Sequence, residues 1–174
     1  TGVVPPTSRP CHARHLGVFS SFSGQGRADL ANLTSENIVT EPDGSRWIHI
    51  ERQKTKAECH IKLLDIPSRI IDKYKGEGKA GKLFFVPATS SLCRSLKMIE
   101  EQCKLGGHLT FYMARHSFAT LICLGNGVPI ETISRMMGHS SIRTTQIYAE
   151  ITNQKVNLDL LRLPDTTMNQ YSLP

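Results

Sequence analysis

Long apolar runs are missing from this 174-residue chain, and no stretch approaches the ~18 consecutive apolar residues that a transmembrane helix needs. The sequence therefore predicts no membrane-spanning helix. Residues 1–6 lack the basic and apolar regions of a signal peptide and carry no initiator methionine, so we expect this to be a piece of a longer protein. Hydrophobic residues at 39% and charged residues at 21% favour a single globular domain with its own core.

Cysteine pairs at the spacing of metal or redox sites are missing as well. The five cysteines are odd in number and none stands in a CxxC motif, which argues against a disulfide scaffold or a zinc ribbon. The sequence instead predicts reduced thiols in a cytoplasmic protein. His12 and His15 form an HxxH pair without further ligands, so we expect no metal site and no cofactor.

Acidic residues are in deficit. The chain carries 21 lysines and arginines against 15 aspartates and glutamates, for a formal net charge of +6 and a pI of about 9.2. Residues 46–82 hold much of the excess, with ten basic and five acidic residues. A basic surface suits a polyanion, because phosphates that bind lysine or arginine release their counterions. The charge alone fits nucleic-acid binding and an ordinary solvated surface equally well.

The spacing of apolar residues predicts a mainly helical fold with one small antiparallel β-sheet, an α+β arrangement. Two strands at 47–50 and 59–64 are expected to form a hairpin, with Lys54 and Lys56 near its tip. Helices follow from apolar periodicity, capping residues and terminal glycines. They are predicted over residues 11–23, 29–33, 67–74, 90–99, 112–124 and 130–137, and from a cap at Ser140 or Ser141 through Tyr148.

The most informative residues form an ordered set in the last third of the chain. Arg115-His116 lies in a helix, a Gly-His-Ser turn covers residues 138–140, and Tyr148 follows His139 by nine residues. A phosphodiester transition state gathers negative charge on its non-bridging oxygens, so catalysis needs cationic donors and an aligned nucleophile. Arg115 supplies a planar donor fork. His139 can donate to the phosphate or move a proton, and Tyr148 is the candidate nucleophile.

These residues, in this order and spacing, resemble the tyrosine recombinase (phage integrase) family, and above all the integrases of Bacteroides-type conjugative elements. The resemblance covers nearly the whole chain and is tightest over residues 108–150. It implies a site-specific recombinase that cleaves and rejoins DNA through a 3′-phosphotyrosine, without metal or ATP, to integrate or excise a mobile element. Residues 11–163 would form the recombinase catalytic domain, between a linker at 1–10 and a C-terminal tail at 164–174.

The same resemblance assigns further roles. Lys54 falls where the family places a hairpin lysine that protonates the departing 5′ oxygen, and Lys56 is the competing assignment. His116 either contacts the phosphate directly or holds in place the residues that do. Lys56, His116 and Arg143 are candidate DNA contacts. The whole protein is expected to act on double-stranded DNA as a tetramer in the bacterial cytoplasm, at the nucleoid, with an additional N-terminal DNA-binding domain.

Two positions depart from the family pattern. The family's first arginine aligns with Gly26, and Arg14 and Arg27 are equal candidates to replace it. Three residues before Arg115, where the family carries histidine or lysine, the chain has Tyr112, which can donate a hydrogen bond but brings no positive charge. Tyr112 is therefore a third candidate substitute.

Two alternative functions remain. Residues 129–149 also fit a helix-turn-helix DNA-binding module, in which Arg143 and Gln146 would meet base edges without any bond cleavage. A recombinase-like domain that binds DNA but is impaired in cleavage is the second alternative. The apolar residues at 158–163 would dock on a neighbouring subunit or pack on their own domain.

Overall fold

The structure, a computed structural model, describes residues 9–75, 78–148 and 160–161. Most of the expected linker 1–10, all of the expected tail 164–174 and most of the apolar segment 158–163 lie outside the described residues. Three short strands and several α-helices form the described part, which confirms the predicted fold class. The helices are α1 (Arg9–Ser23), α2 (Arg27–Asn32), α3 (Asp65–Tyr74), α4 (Thr89–Cys103), α5 (Phe111–Ser117), α6 (Ile130–Met136) and α7 (Ile142–Gln146).

The sheet is antiparallel and has the order β1 (Ile38–Thr40), β2 (Arg46–Glu51), β3 (Glu58–Lys62). Strand β3 alternates between exposed and buried residues, as expected for a strand that packs one face on a core. Ile48 and Ile61 pair across β2 and β3, and both are fully buried. The hairpin was predicted, whereas β1 was missed because three half-exposed residues carry no alternation that a sequence pattern could reveal.

The main hydrophobic core lies between α1, α3 and the inner face of the sheet. Leu16 and Phe19 of α1 are fully buried there, and Phe19 meets Phe84 edge to face with ring centroids 5.1 Å apart. Burying a side chain of this size stabilises the fold by about 1.5–3 kcal/mol. The segment around Phe84 packs into this core in an extended conformation.

A second, smaller core supports the end of the described chain. It contains Phe118, Ile133, Met137 and Tyr148, all buried. This cluster joins the end of α5, α6 and the residues that follow α7, so the segments that carry the ordered motif are packed together.

Several predicted helix boundaries were wrong, and helix α4, for example, continues to Cys103, beyond the predicted end at residue 99. The single helix expected over 112–124 is divided into α5, a π-helical segment (Phe118–Cys123) and a 3₁₀ turn (Leu124–Asn126). Helix α3 begins at Asp65, two residues before the predicted start, because a proline is tolerated throughout the first turn. Helix α7 ends at Gln146, so Tyr148 lies just beyond it, in a turn whose Tyr148 N–H donates to the carbonyl of Thr145 at 2.9 Å.

Capping residues set the two helix starts nearest to the motif. The Thr110 side chain accepts a hydrogen bond from the backbone N–H of Met113 at the start of α5. At the start of α7, Ser141 accepts from the N–H of Arg143, which settles the predicted choice between Ser140 and Ser141. Such caps are typically worth about 1 kcal/mol each.

Gly24, which follows α1, is a sterically constrained glycine. Its φ of +66° is left-handed, and an added Cβ would lie 2.5 Å from Cδ1 of the buried Phe118. Gly44, in the β1–β2 turn, has a similar φ of +81° but open space around it. The pair therefore separates backbone strain from steric crowding.

We predict that Gly24→Ala destabilises the protein by about 2–4 kcal/mol, from left-handed strain plus overpacking against the second core. Gly44→Ala should cost only about 1–2 kcal/mol, because it adds the strain alone. Urea denaturation of both variants measures the difference. Equal losses for the two variants would show that the contact between Gly24 and Phe118 is not tight.

Candidate active site

The candidate site lies where three segments meet beside the turn of the β2–β3 hairpin. Helix α5 provides Arg115, the turn between α6 and α7 provides His139, and the turn after α7 provides Tyr148. The fold thus brings together the three residues that the sequence motif singled out.

Arg115 is buried and makes hydrogen bonds to three groups. One terminal nitrogen donates to the carbonyl of Gly24, and the other donates to the carbonyl of Met137 at 2.7 Å and contacts His139 Nε2 at 3.0 Å. Burial, together with repulsion from Arg52, lowers the pKa of Arg115 to about 10. The side chain therefore stays charged at neutral pH and ties the end of α1 to the α6–α7 turn.

His139 is held by a hydrogen bond on each ring nitrogen. Because a guanidinium can only donate, Nε2 accepts from Arg115, and the ring proton lies on Nδ1, which donates to Thr145 Oγ1 at 2.8 Å. Burial and then repulsion from Arg115 and Arg52 lower the pKa of His139 to about 4. His139 is consequently neutral at physiological pH in the unliganded protein.

Gly138 is the glycine that the turn before His139 requires. Its φ is +60°, and a Cβ there would lie 2.4 Å from the sulfur of Cys59 and 2.5 Å from Cγ of Arg52. Its carbonyl accepts a hydrogen bond from Thr55 Oγ1 at 2.8 Å. The hairpin and the His139 turn are therefore in direct contact, which brings the basic hairpin to the edge of the site.

Tyr148 is only 5% exposed and is surrounded by aromatic rings. Its hydroxyl lies 2.9 Å from the hydroxyl of Tyr112, the ring of His116 meets it edge-on at 4.9 Å, and the ring of His139 stacks at 6.2 Å. Burial and the hydrogen bond to Tyr112 raise the pKa of Tyr148 to about 12, against the opposing effect of Arg115. The phenol is therefore protonated at neutral pH and needs a proton acceptor before it can attack.

Arg52 and Asp29 form a largely buried ion pair that sequence reasoning missed. Their charged groups are 3.1 Å apart, with 11% and 6% of the two side chains exposed. The backbone N–H of Gln53 also donates to the carboxylate of Asp29, at 3.2 Å. Neither residue belongs to the ordered motif, and only the fold brings the end of strand β2 next to helix α2. Thr145, the hydrogen-bond partner of His139, is likewise a residue that the sequence motif did not single out.

The other candidate residues lie around the rim of the site. Lys54 is exposed in the β2–β3 turn, and Lys56 in the same turn pairs with Glu51 at 3.4 Å. His116 and Arg143 are exposed as well. The exposure of these four side chains fits contacts to a bound polyanion.

Arg14 and Arg27, the two expected substitutes for the first arginine, point elsewhere. Arg27 donates to the carbonyl of Pro87 at 2.8 Å, and Arg14 contacts Cys11 at 3.9 Å on the exposed face of α1. Among the described residues, the second cation that acts on both Arg115 and His139 is Arg52. Arg27 directly follows Gly26 and Arg14 lies on helix α1, and the described hydrogen bond of each goes to a group outside the cluster of Arg115, His139 and Tyr148.

The remaining histidine pair has structural partners. His12 contacts the carbonyl of Phe85 at 2.5 Å, and His15 Nδ1 lies 2.7 Å from the hydroxyl of Tyr74. Within residues 9–75, 78–148 and 160–161, no cluster of three or more His, Cys, Asp or Glu side chains has the geometry of a metal site. The helices in the same ranges include none with the length and apolar character to cross a bilayer.

The sequence and fold were compared with known proteins. The model of the phage integrase family matches residues 8–155. The tyrosine recombinase XerA of Thermococcus kodakarensis is 47% identical over 161 residues, which is 86% of this chain and 54% of the relative. The chain spans about half, or less, of the length of the curated relatives that it matches.

Two solved structures share the fold. The XerH site-specific recombinase, in a post-cleavage complex with palindromic difH substrate, matches with a TM-score of 0.68 and 20% identity over 88% of this chain and 46% of that one. The Tn1549 transposon integrase, in complex with a circular intermediate DNA, matches with a TM-score of 0.63 and 18% identity over 86% and 58%. At such identities the likeness establishes the fold and says nothing of individual side-chain roles.

The lowered pKa of His139 makes a testable contribution to stability. The unfolded chain protonates this ring near pH 6.5, whereas the folded protein does so at about pH 4. The unfolded state therefore binds more protons between these values, and the stabilising contribution is lost as the pH falls from about 6.5 to about 4. We predict that the difference in unfolding free energy between the wild type and His139→Gln shrinks over this range. Urea titrations at several pH values measure it, and a difference independent of pH would contradict the assignment.

Proposed function

Because the chain belongs to the phage integrase family, we propose that it is the catalytic domain of a site-specific DNA recombinase. It would cleave and rejoin double-stranded DNA through a 3′-phosphotyrosine at Tyr148. The observation that carries this proposal is the convergence of Tyr148, Arg115 and His139 in one site next to a basic hairpin. The spacing of these three residues in the sequence does not require their side chains to meet in the fold. A shared catalytic role requires it, because all three must reach one phosphate.

Arg115 is suited to bind the scissile phosphate. A guanidinium has five N–H donors, and the described hydrogen bonds of Arg115 anchor the group through both of its terminal nitrogens. The anchored fork is rigid, so its remaining donors are oriented before the substrate arrives. Preorganised donors of this kind stabilise charge as it develops on the non-bridging oxygens.

Attack requires that Tyr148 lose its proton as its oxygen bonds to phosphorus. The neighbouring hydroxyl of Tyr112 lies within hydrogen-bond distance, and the Tyr112 residue is 58% exposed. We infer that Tyr148 donates to Tyr112, which passes its own proton to water. In this relay Tyr112 replaces the histidine or lysine of the family pattern without adding charge. A phosphate oxygen bound beside Arg115 would be a second acceptor for the proton of Tyr148.

The departing 5′ oxygen needs a proton, which we assign to Lys54, with Lys56 as the competing candidate. Both ammonium groups lie on the hairpin that touches the His139 turn through the hydrogen bond of Thr55 to Gly138. The phosphotyrosine conserves the energy of the broken phosphodiester, so the 5′ hydroxyl can later attack it and reseal the strand without ATP or metal. Contacts from His116 and Arg143 to the DNA backbone fit the exposure of these two side chains.

A helix-turn-helix module without cleavage accounts for less of the structure. Helix α7 has five residues, so it is roughly 7.5 Å long, which is short against a major groove ~12 Å wide. Its Thr145 is turned inward to His139 rather than outward to DNA. The buried ion pair and the stacked Tyr148 also have no purpose in a module that only reads base edges.

The proposal extends to the whole protein. A further N-terminal DNA-binding domain fits the fact that the chain spans about half of its curated relatives. Assembly as a tetramer on paired sites, membership of the Bacteroides-type conjugative element integrases, and a place in the cytoplasm at the nucleoid all follow from the resemblance. The Tn1549 integrase, a transposon enzyme of the same fold, supports a role in moving an element into or out of DNA.

Covalent capture tests the reaction class. We predict that the protein forms a denaturation-resistant adduct with nicked duplex DNA carrying the element's own ends, and that Tyr148→Phe forms none while still binding the DNA. Tyr112→Phe, which removes the partner hydroxyl 2.9 Å away, should slow adduct formation by ~10²–10⁴, the usual contribution of proton transfer. Gel electrophoresis and mass spectrometry of the trapped peptide identify the attached tyrosine.

Tyr112→Phe is also the matched control for the nucleophile. If Tyr112 were the attacking group, its phenylalanine variant would lose the adduct and Tyr148→Phe would keep it. DNA binding without any adduct, even in the full-length protein, would favour the impaired or helix-turn-helix alternatives.

A leaving group that needs no proton separates the two lysines. We predict that Lys54→Ala slows cleavage of ordinary DNA by ~10²–10⁴, and that a sulfur atom in place of the bridging 5′ oxygen restores the rate, because a thiolate departs unprotonated. Lys56→Ala should keep a nearly normal rate on both substrates. Rate measurements on the four combinations decide the assignment, and the reversed pattern would give the proton to Lys56.

A further inference from the structure

Arg52 has an unusual environment for an arginine. Its Nη2 atom pairs with Asp29, but its Nε and Nη1 atoms are buried and have no hydrogen-bond partner among the described residues. A buried donor without a partner loses its hydration and gains nothing in return, a cost that proteins rarely leave unbalanced. Two such donors on one guanidinium indicate that Arg52 is arranged to bind an acceptor from outside the chain.

The position of the fork identifies where that acceptor would lie. Arg52 Nη2 is 3.8 Å from the point where a Cβ of Gly26 would stand, and its side chain packs against Gly138, the residue before His139. The guanidinium therefore occupies the space that an arginine at position 26 would enter. The backbone of Gly26 is extended, with φ −78° and ψ 162°, so its small size rather than its conformation distinguishes it.

The charges around the site point to an anion. Arg52 acts on both Arg115 and His139 and lowers the pKa of each, which is the signature of like charges brought close together in a desolvated place. Asp29 is the acid that faces them, and its carboxylate already accepts from Arg52 and from the N–H of Gln53. The cluster of two guanidiniums and one carboxylate keeps a net positive charge that a phosphate would balance.

We propose that Arg52, held in place by Asp29, is a second phosphate-binding residue of this active site and takes the role left open by Gly26. The proposal rests on the recombinase function proposed above and names a residue for it. Asp29 is a positioning residue, because it fixes one end of the fork through Nη2 and leaves Nε and Nη1 for a non-bridging phosphate oxygen. Arg115 would bind from its own side, so the two guanidiniums share the developing charge.

Cleavage kinetics on two substrates test whether Arg52 contacts the phosphate. On ordinary nicked DNA, Arg52→Ala should slow adduct formation by ~10²–10³, the usual effect of removing one donor to an oxyanion. On DNA whose scissile phosphate carries a methyl group in place of one non-bridging oxygen, the charge is absent, and the gap between wild type and variant should close. A residue that merely supported the fold would slow both substrates equally, and that result would overturn the proposal.

Two further variants guard against misfolding. Arg52→Ala leaves the carboxylate of Asp29 buried and unpaired, which destabilises proteins, so Arg52→Gln combined with Asp29→Asn removes the whole pair and should show the same substrate dependence. Arg46→Ala is the matched control, because Arg46 begins strand β2, which ends just before Arg52, but it pairs with the exposed Asp72 at 2.9 Å. It should react at the wild-type rate on both substrates.

A binding measurement separates this proposal from the recombinase function itself. In nitrogen-15 NMR spectra, inorganic phosphate should shift the Nε–H signals of Arg52 and Arg115 and leave that of Arg46 unchanged. An unshifted Arg52 signal would overturn the proposal. If phosphate shifts Arg52 but the full-length protein forms no adduct, the recombinase function fails while the phosphate site stands. If Arg52→Ala forms the adduct at the wild-type rate, the role proposed for Arg52 fails while the recombinase function stands.

Discussion

The hydrogen bonds of the buried Arg115 guanidinium are the interaction on which the rest of the site depends. They join the end of α1, through the carbonyl of Gly24, to the α6–α7 turn, through the carbonyl of Met137 and the ring of His139. Burying a guanidinium is costly unless hydrogen bonds offset its lost hydration, and these three bonds provide that compensation for Arg115. Arg115 is therefore both a cross-link between two hydrophobic cores and a charged group prepared for an anion.

The hydrogen bonds of Arg115 determine the protonation and orientation of the groups around it. Because Arg115 donates to Nε2, His139 carries its proton on Nδ1 and turns it toward Thr145. The fixed ring then stacks on Tyr148, whose hydroxyl reaches Tyr112. The unliganded site is thus neutral at its histidine and tyrosine and positive at its arginines. A bound phosphate would change this balance, since it compensates the cations that now suppress protonation of His139.

Glycine positions make this close arrangement sterically accessible. Gly24 and Gly138 both have left-handed φ values, and each lies against a bulky side chain, Phe118 in one case and Arg52 in the other. Any Cβ would push apart the carbonyls and rings that Arg115 and His139 require. The hairpin, α5 and the α6–α7 turn therefore pack in tight contact only because glycines stand at these positions. The same tight contact brings the charged groups of the site together.

Apolar periodicity and short motifs depend on local spacing, so they predicted the fold class, the hairpin and the ordered set of Arg115, His139 and Tyr148. They did not reveal β1, the π-helical segment or the end of α7, which follow from packing rather than from propensity. The pairing of Arg52 with Asp29 and the contact of Tyr112 with Tyr148 were decided by tertiary structure alone. These partners are 23 and 36 residues apart in the chain, and no local pattern encodes which distant side chains will share a buried site.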